Sequence, residues 1–521
     1  MELGKSYQSL SRREFLLLGG RTAGVLLLLP CPVRAAEALP SSTVAASTGG
    51  VLHYAHLGDF VGFDGHRLHA VSFPMFNLLY NSLVVLDKSG RPQAELADSW
   101  RFSGNLRTLT LTLRQGVKFH SGRQLVSEDV KLNIERMQNP ANSANARPLA
   151  SLVEKIETPD RRTVVLKLGE VSPNIFDLLD LTYIMDPECF SDVTAKGAGT
   201  GPFMLESRHP GEPVRFSRFP SYFKTGLPIL DEVIVHVPPD PTSMIIGIEN
   251  GDYDVIERFQ AADADRLKHT KGIRVNDVFA GFISDILINT RQKPFDRNLV
   301  RQALSHAVNR QLMIDAAMGG IGQPMCLPFP KSSLAYNTDL EGDCRFDPAE
   351  SKRLLDKAGL GGGFSFELLI STEVLPASPI QAEILKADLA AIGVQAVIAD
   401  VGSAEYFARH TTGKYEVALH QFRGANRDPK TLFLSTIPWY TRENFSNFTS
   451  PEYARLVEEA GRTADIERRK ALYKKIGKLI LDEAFVICIA PAPSLFAFGE
   501  RVKGLDWNVE GHPKFERVSL A

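Results

Sequence analysis

The chain has 521 residues, 44% of them hydrophobic and 23% charged, with 40 Gly and 31 Pro; this is the make-up of a folded protein of several compact units and excludes collagenous, coiled-coil and disordered chains. Fifty-nine basic residues stand against 61 acidic ones, so the whole chain lacks the cationic footprint that phosphate neutralisation needs, and no nucleic-acid partner is expected. Five cysteines cannot scaffold so long a chain, and no Cys-x-x-Cys pair suggests a zinc ribbon or a redox centre.

Residues 1–35 have the three-part build of a signal peptide: a polar start, Ser11-Arg12-Arg13-Glu14-Phe15-Leu16, and an apolar stretch ending in Leu26 to Leu29. Arg12 and Arg13 followed by Phe15 and Leu16 resemble the twin-arginine export motif. A retained membrane helix is disfavoured, because Arg21 costs roughly 2.5–3.5 kcal/mol at a bilayer centre and the uninterrupted apolar run is far short of the ~20 residues a span needs. Cleavage is expected after Ala35. Pro30 directly before Cys31 departs from a lipoprotein box, which argues against a lipid anchor there. Residues 1–35 hold five basic and two acidic side chains, so the remainder carries 54 against 59, a net charge of −5 that suits a soluble exported protein. Residues 36–49, rich in Ala, Ser, Thr and Gly, read as a flexible leader.

From Gly50 onward strands and helices mix without a 20–50-residue repeat. Val51 to His56 reads as a strand. Leu106 to Arg114 alternates Leu with Thr and predicts a half-buried strand. Ser127 is expected to cap a helix with Glu128 and Asp129 in its first turn and Val130, Ile134 and Met137 on one face. Gly199-Thr200-Gly201-Pro202 reads as a tight turn, since Pro202 lacks the N–H a phosphate cradle would use. Asp347-Pro348-Ala349-Glu350 joins a cap, a first-turn Pro and a reciprocal carboxylate, with Leu354, Leu355 and Ala358 along one side before Gly359. Ser378-Pro379 starts another helix carrying Ile380, Ile384, Leu385, Leu389 and Ile392, and Val394 to Ile398 follows as a strand. Helix followed by strand in this way predicts an α/β protein.

No Gly-x-Ser-x-Gly, His-Glu-x-x-His, Walker loop or Gly-x-Gly-x-x-Gly is present, so neither an enzyme nor a cofactor is expected. His53 and His56 fall on opposite faces of their strand. His66 and His69 meet only on a helical turn, and no carboxylate pattern completes a metal set. Cys326 and Cys344 sit close enough for an oxidising compartment to bridge them, closing a loop of about 19 residues worth roughly 3 kcal/mol, though the sequence leaves bridged and free states equally open. Cys189 and Cys488 are read as small buried hydrophobes.

Pro92 to Trp100, Leu113-Arg-Gln-Gly-Val-Lys-Phe-His-Ser-Gly122, Ser127-Glu-Asp-Val130, Gly199 to Phe203, Pro228 to Val233, and Pro294-Phe-Asp with Val300 to Leu304 and Val308-Asn-Arg310 together resemble the extracytoplasmic solute-binding proteins of peptide, nickel and opine-type ABC transporters. The resemblance runs from about Gly50 to about Trp507. It implies an α/β protein whose two lobes close on a ligand, with a small extra domain inserted in the first lobe: 50–83, 197–283 and 490–521 for lobe I, 84–196 for the insertion and 284–489 for lobe II. It implies a monomer that hands its solute to permease subunits energised by cytoplasmic ATPases.

The run Gln421 to Pro429 matches the family's ligand-contacting stretch. Phe422 falls at the aromatic position and Asp428-Pro429 at the closing pair, but Ala425 stands where peptide-binding relatives hold an amine-binding carboxylate. A buried ammonium without such a partner pays a desolvation penalty it cannot recover. Arg423 and Arg427 bracket the loop with planar forks suited to carboxylate or phosphate, which points to a peptide-like or amino-acid-conjugate solute with an anionic group. The alternative for them is an ion pair of Arg427 with Asp428 or Glu443 and an Arg423 in solvent. Asn426, Trp439 and Tyr440 complete the expected contacts, with core packing as the competing fate of the aromatics. A metal-chelate or haem receptor on the same scaffold, and a twin-arginine exported enzyme, are the competing functions.

Overall fold

In this computed structural model, residues 49–58, 62–67, 72–192 and 196–521 are described; the expected signal peptide with its Arg12-Arg13 pair, Cys31, nearly all of the leader, and His69 lie outside them. Among the described residues no helix is long and apolar enough to cross a membrane.

Three sheets organise the chain. The first has seven strands in the order Ile273–Asp277, Leu495–Gly499, Val255–Glu257, Val51–Ala55, Glu232–His236, Val214–Arg218, Phe203–Ser207. Val51–Ala55 runs parallel to both Glu232–His236 and Val255–Glu257, so the C-terminal ends of these three strands emerge on one edge. The second sheet has five strands in the order Val394–Asp400, Phe364–Ile370, Val417–Phe422, Ile283–Ile288, Val486–Pro491. Its first three are mutually parallel and end together. All six residues of Ile283–Ile288 are buried, as a strand covered on both faces requires. The third sheet is antiparallel, Ala97–Phe102, Thr108–Leu113, Thr163–Leu168, Val153–Glu157, and lies between the first and later strands of the first sheet in sequence.

The chain passes between the two larger sheets twice, at 278–282 and 492–494. These connections are bonded to each other: Val278 N–H donates to Ser494 O at 2.9 Å and Ala492 N–H to Phe282 O at 3.0 Å.

Leu109, Leu111 and Leu113 are buried on one face of their strand, whereas Leu106 lies outside it in a turn at φ 58°. The helix expected to be capped by Ser127 spans Ser127–Gln138 with Val126 at the cap position; Asp129 accepts the Val126 N–H at 2.8 Å, and Ser127 is instead the first helical residue, its hydroxyl donating to Asp160 O. Val130, Ile134 and Met137 do face the core. Asp347 caps Pro348–Lys357 through the Glu350 N–H at 3.0 Å, but the Glu350 carboxylate turns to Arg353 rather than back to the cap. In Ser378–Ala390 the core face is Ala382, Leu385 and Leu389, while Ile380 is 48% exposed; the stripe is rotated by one position because Gln381 turns inward to Ser284.

Gly199 and Gly201 have a different reason from turn geometry. A Cβ on either would collide with the backbone of Leu78–Tyr80 or the Tyr80 ring, and Gly201 N–H bonds Leu79 O at 2.8 Å. The segment is glycine-rich because two backbones pass in contact. Cys326 and Cys344 are joined, with Cα atoms 5.5 Å apart; Cys488 is buried and Cys189 half-buried.

Candidate functional site

In open α/β sheets ligands gather outside the C-terminal ends of parallel strands. His56, Glu257 and Arg258 stand at that edge of the first sheet, and Arg423 at that edge of the second. The C-terminal turn Asn508 to His512 lies between them, shaped by Asn508, whose side-chain oxygen accepts the N–H of Glu510 at 3.0 Å and of His512 at 2.9 Å.

Arg423 donates through Nε to Glu510 at 2.8 Å and through Nη2 to His512 Nε2 at 2.8 Å, with Nη2 also in ion-pair contact with Glu510 at 2.6 Å. Its guanidinium lies 4.2 Å from the centre of the Phe73 ring, on which His512 stacks at 4.3 Å. Burial, followed by the charges of Arg423, Arg258 and His56, drives the His512 pKa well below its ordinary 6.5. The imidazole is therefore neutral and accepts from Arg423 at Nε2. Burial also pulls the Arg423 pKa down, against the pull of Glu510. At the facing edge His56 bonds Glu257 at 2.6 Å in full burial, and Arg258 Nε is 3.4 Å from the same carboxylate oxygen.

Arg427, 4% exposed, donates through Nε to Glu510 at 2.5 Å and through Nη1 to Asp180 at 2.6 Å, with Asp177 at 3.9 Å. Burial disfavours its charge, but the carboxylates of Glu510, Asp180 and Asp177 outweigh it and raise its pKa. Glu510 shows the mirror effect: burial opposes ionisation, and Arg427 with Arg423 hold its pKa below 4.5.

The expected ligand residues thus separate. Both guanidiniums are paired in this structure, Arg423 with Glu510 and Arg427 with Glu510 and Asp180, rather than Arg427 with Asp428 or Glu443 and Arg423 with solvent. Asp428 is fully buried, caps Pro429–Ser435 through the Lys430 N–H at 2.9 Å and pairs with Arg469 at 2.7 Å, so it is not free to swing toward a ligand. Phe422 and Trp439 pack edge to face at 5.3 Å in the core of the second sheet. Tyr440 is half-buried and its carbonyl accepts from Asn444. Asn426 donates to Val509 O. Ala425, Asn426 and Arg427 line a cavity of about 340 Å³ whose other walls include Asn276, Phe279 and Asn508.

The residues that sequence reasoning missed are Glu510, His512, Glu257, Arg258 and Asp180. Asn508-Val-Glu-Gly-His512 carried a legible turn signal, but nothing local says that it meets Arg423. Among the described histidines of this group, His53 bonds His236 at 2.9 Å, His56 bonds Glu257, and His66 accepts from Arg136 at 3.0 Å.

A profile of the bacterial extracellular solute-binding proteins, family 5 middle region, matches residues 91–444. The chain is 29% identical to a dipeptide-binding protein of Escherichia coli K12, over 92% of this chain and 97% of that one. It is 30% identical to di/tripeptide-binding protein 1 of Pseudomonas aeruginosa UCBPP-PA14, over 79% and 83%. Among solved structures, the periplasmic binding protein AgaA of A. tumefaciens R10 in complex with agropinic acid superposes with a TM-score of 0.77 at 25% identity, covering 91% of this chain and 99% of that one.

Proposed function

The chain belongs to family 5 of the bacterial extracellular solute-binding proteins, two-lobed α/β receptors, and from that premise we propose how it takes its solute. It is the extracytoplasmic substrate-binding component of an ABC importer. The solute is a small peptide-like or amino-acid-conjugate compound held in the seam between the lobes, with the ribbon at 278–282 and 492–494 as the hinge and 84–196 as a domain inserted in lobe I. The signal at 1–35 sends the protein through the twin-arginine route to the periplasm, where it works as a monomer and makes or breaks no covalent bond.

The observation that carries this reading is Arg423. It stands at the C-terminal end of a central lobe II strand and is held by Glu510 and His512 of lobe I, so it is the group whose partners change when the lobes part. An anionic group on the solute takes the place of Glu510 at this fork. Closure is then a population shift, driven only by the extra affinity of the closed state for solute. The test is mass spectrometry of solute released from gently purified protein, followed by calorimetry with Arg423→Ala. A loss of at least tenfold in affinity is expected; unchanged affinity for an anionic solute removes Arg423 from the site, and turnover of the compound overturns the reading.

A further inference from the structure

A second cavity, of about 420 Å³, lies beside the hinge, where Phe279 and Ala492 of the two connecting segments and Pro491 at the end of its strand meet the lobe II segment that the Cys326–Cys344 bridge ties down. Its floor is apolar, made by Phe279, Met325, Leu327, Phe329, Leu340 and Pro491, and the size is that of a small-molecule site. An apolar hollow of this kind is costly to leave wet.

Its charge is distinctive. Asp277 and Glu341 both line it and both are exposed. Among the described residues neither has an ion-pair partner, whereas Asp339 and Asp343, flanking Glu341 in sequence, pair with Lys474 and Lys478. Asp277 accepts the Ser494 N–H at 3.1 Å through one oxygen and Glu341 accepts from the Tyr336 hydroxyl, which leaves acceptor capacity on each carboxylate. Among the described residues Lys331 is the one cation on the wall, and its ammonium is turned to Gln323 at 3.3 Å.

We infer that this cavity is a second binding site, for a small organic cation with an apolar or aromatic body: the body fills the floor and the ammonium takes the carboxylates of Asp277 and Glu341. Because Asp277 and Phe279 also line the 340 Å³ cavity between the lobes, an occupant bears directly on the hinge. By linkage, whatever it does to closure, closure does to its affinity. The site is thus a place where a compound other than the transported solute modulates capture.

The probe is phenethylamine, titrated calorimetrically into the full mature chain, with 3-phenylpropionate and 2-phenylethanol as anionic and neutral counterparts. The cation is expected to bind at least tenfold more tightly than the anion. Asp277→Asn and Glu341→Gln each weaken it severalfold without affecting 2-phenylethanol, and Lys331→Glu, at an exposed position, tightens it. Leu340→Trp, which fills the floor, abolishes binding of both cation and alcohol. Equal affinity for cation and anion, or phenethylamine binding that survives Leu340→Trp in a folded protein, overturns the proposal; so does a failure of phenethylamine to bind. None of these outcomes bears on the solute seam at Arg423, whose own test stands apart.

Discussion

Replacing Glu510 by Gln keeps the shape of the side chain and removes its charge. Glu510 is 5% exposed and receives two charge-assisted hydrogen bonds, one from Arg427 and one from Arg423, with Arg423 Nη2 in ion-pair contact at 2.6 Å as well. Each exceeds a neutral bond by roughly 1 kcal/mol and the loss leaves buried guanidinium charge without its carboxylate, so the cost is about 3 kcal/mol, the lower end of the ~3–5 kcal/mol for breaking a buried ion pair. Both arginines follow a strand of the second sheet and Glu510 follows a strand of the first, so on the proposed two-lobe division the loss falls on the arrangement with the lobes together. About 3 kcal/mol is roughly two powers of ten in that equilibrium. Small-angle scattering of the solute-free protein is expected to show a larger radius of gyration for Glu510→Gln than for the parent, and calorimetry a lower unfolding midpoint. The acid dependence follows in sign: with its pKa held below 4.5 in the folded protein, Glu510 contributes fully above pH 4.5, and the contribution fades as pH falls through the lowered folded value. If parent and variant scatter alike and unfold alike, the Glu510 contacts do not hold the lobes together and the reasoning fails.

Three further outcomes are expected. Burial depresses the pKa of His66 to about 3 and of His120 to about 4; the unfolded chain binds protons that the folded one refuses, so stability should fall as pH drops below 6.5, by up to about 1.4 kcal/mol per pH unit per histidine until the folded value is reached. Urea unfolding at pH 7 and pH 5 measures this, and a flat profile refutes it. Reducing the Cys326–Cys344 bridge, or replacing both with Ser, should cost about 3 kcal/mol by loop entropy, read as a lower thermal midpoint. Gly201→Ala should destabilise by several kcal/mol or prevent folding, because its Cβ has no space beside Leu78 and Leu79; Gly211→Ala, with open space but φ 80°, should cost only about 1 kcal/mol.

What was readable beforehand divides by range. Strands such as Thr108–Leu113 and caps such as Asp347 were legible because their causes lie within a few residues. The boundary at Ser127 moved by one because Asp129 satisfies the backbone N–H that a capping hydroxyl was expected to serve. Ile380 was misread because periodicity cannot register that Gln381 finds a buried partner in Ser284. At the seam, the sequence singles out loop 422–428 as a place to look. Its chemistry was not legible, since the partners of Arg423 and Arg427 stand 83 or more residues later in the chain, or 247 earlier, and only the fold brings them together.

The paired connecting segments carry a mechanical consequence. Two separate tethers would let the lobes twist, slide and bend independently, but cross-bonding between 278–282 and 492–494 makes them a single leaf, stiff to torsion and shear and compliant only out of its plane. On the proposed reading the lobes therefore retrace one arc on every cycle. A permease docking on the shut receptor meets one reproducible silhouette whatever cargo lies inside, so a loaded carrier is recognised by outline while the choice of cargo stays hidden within the seam.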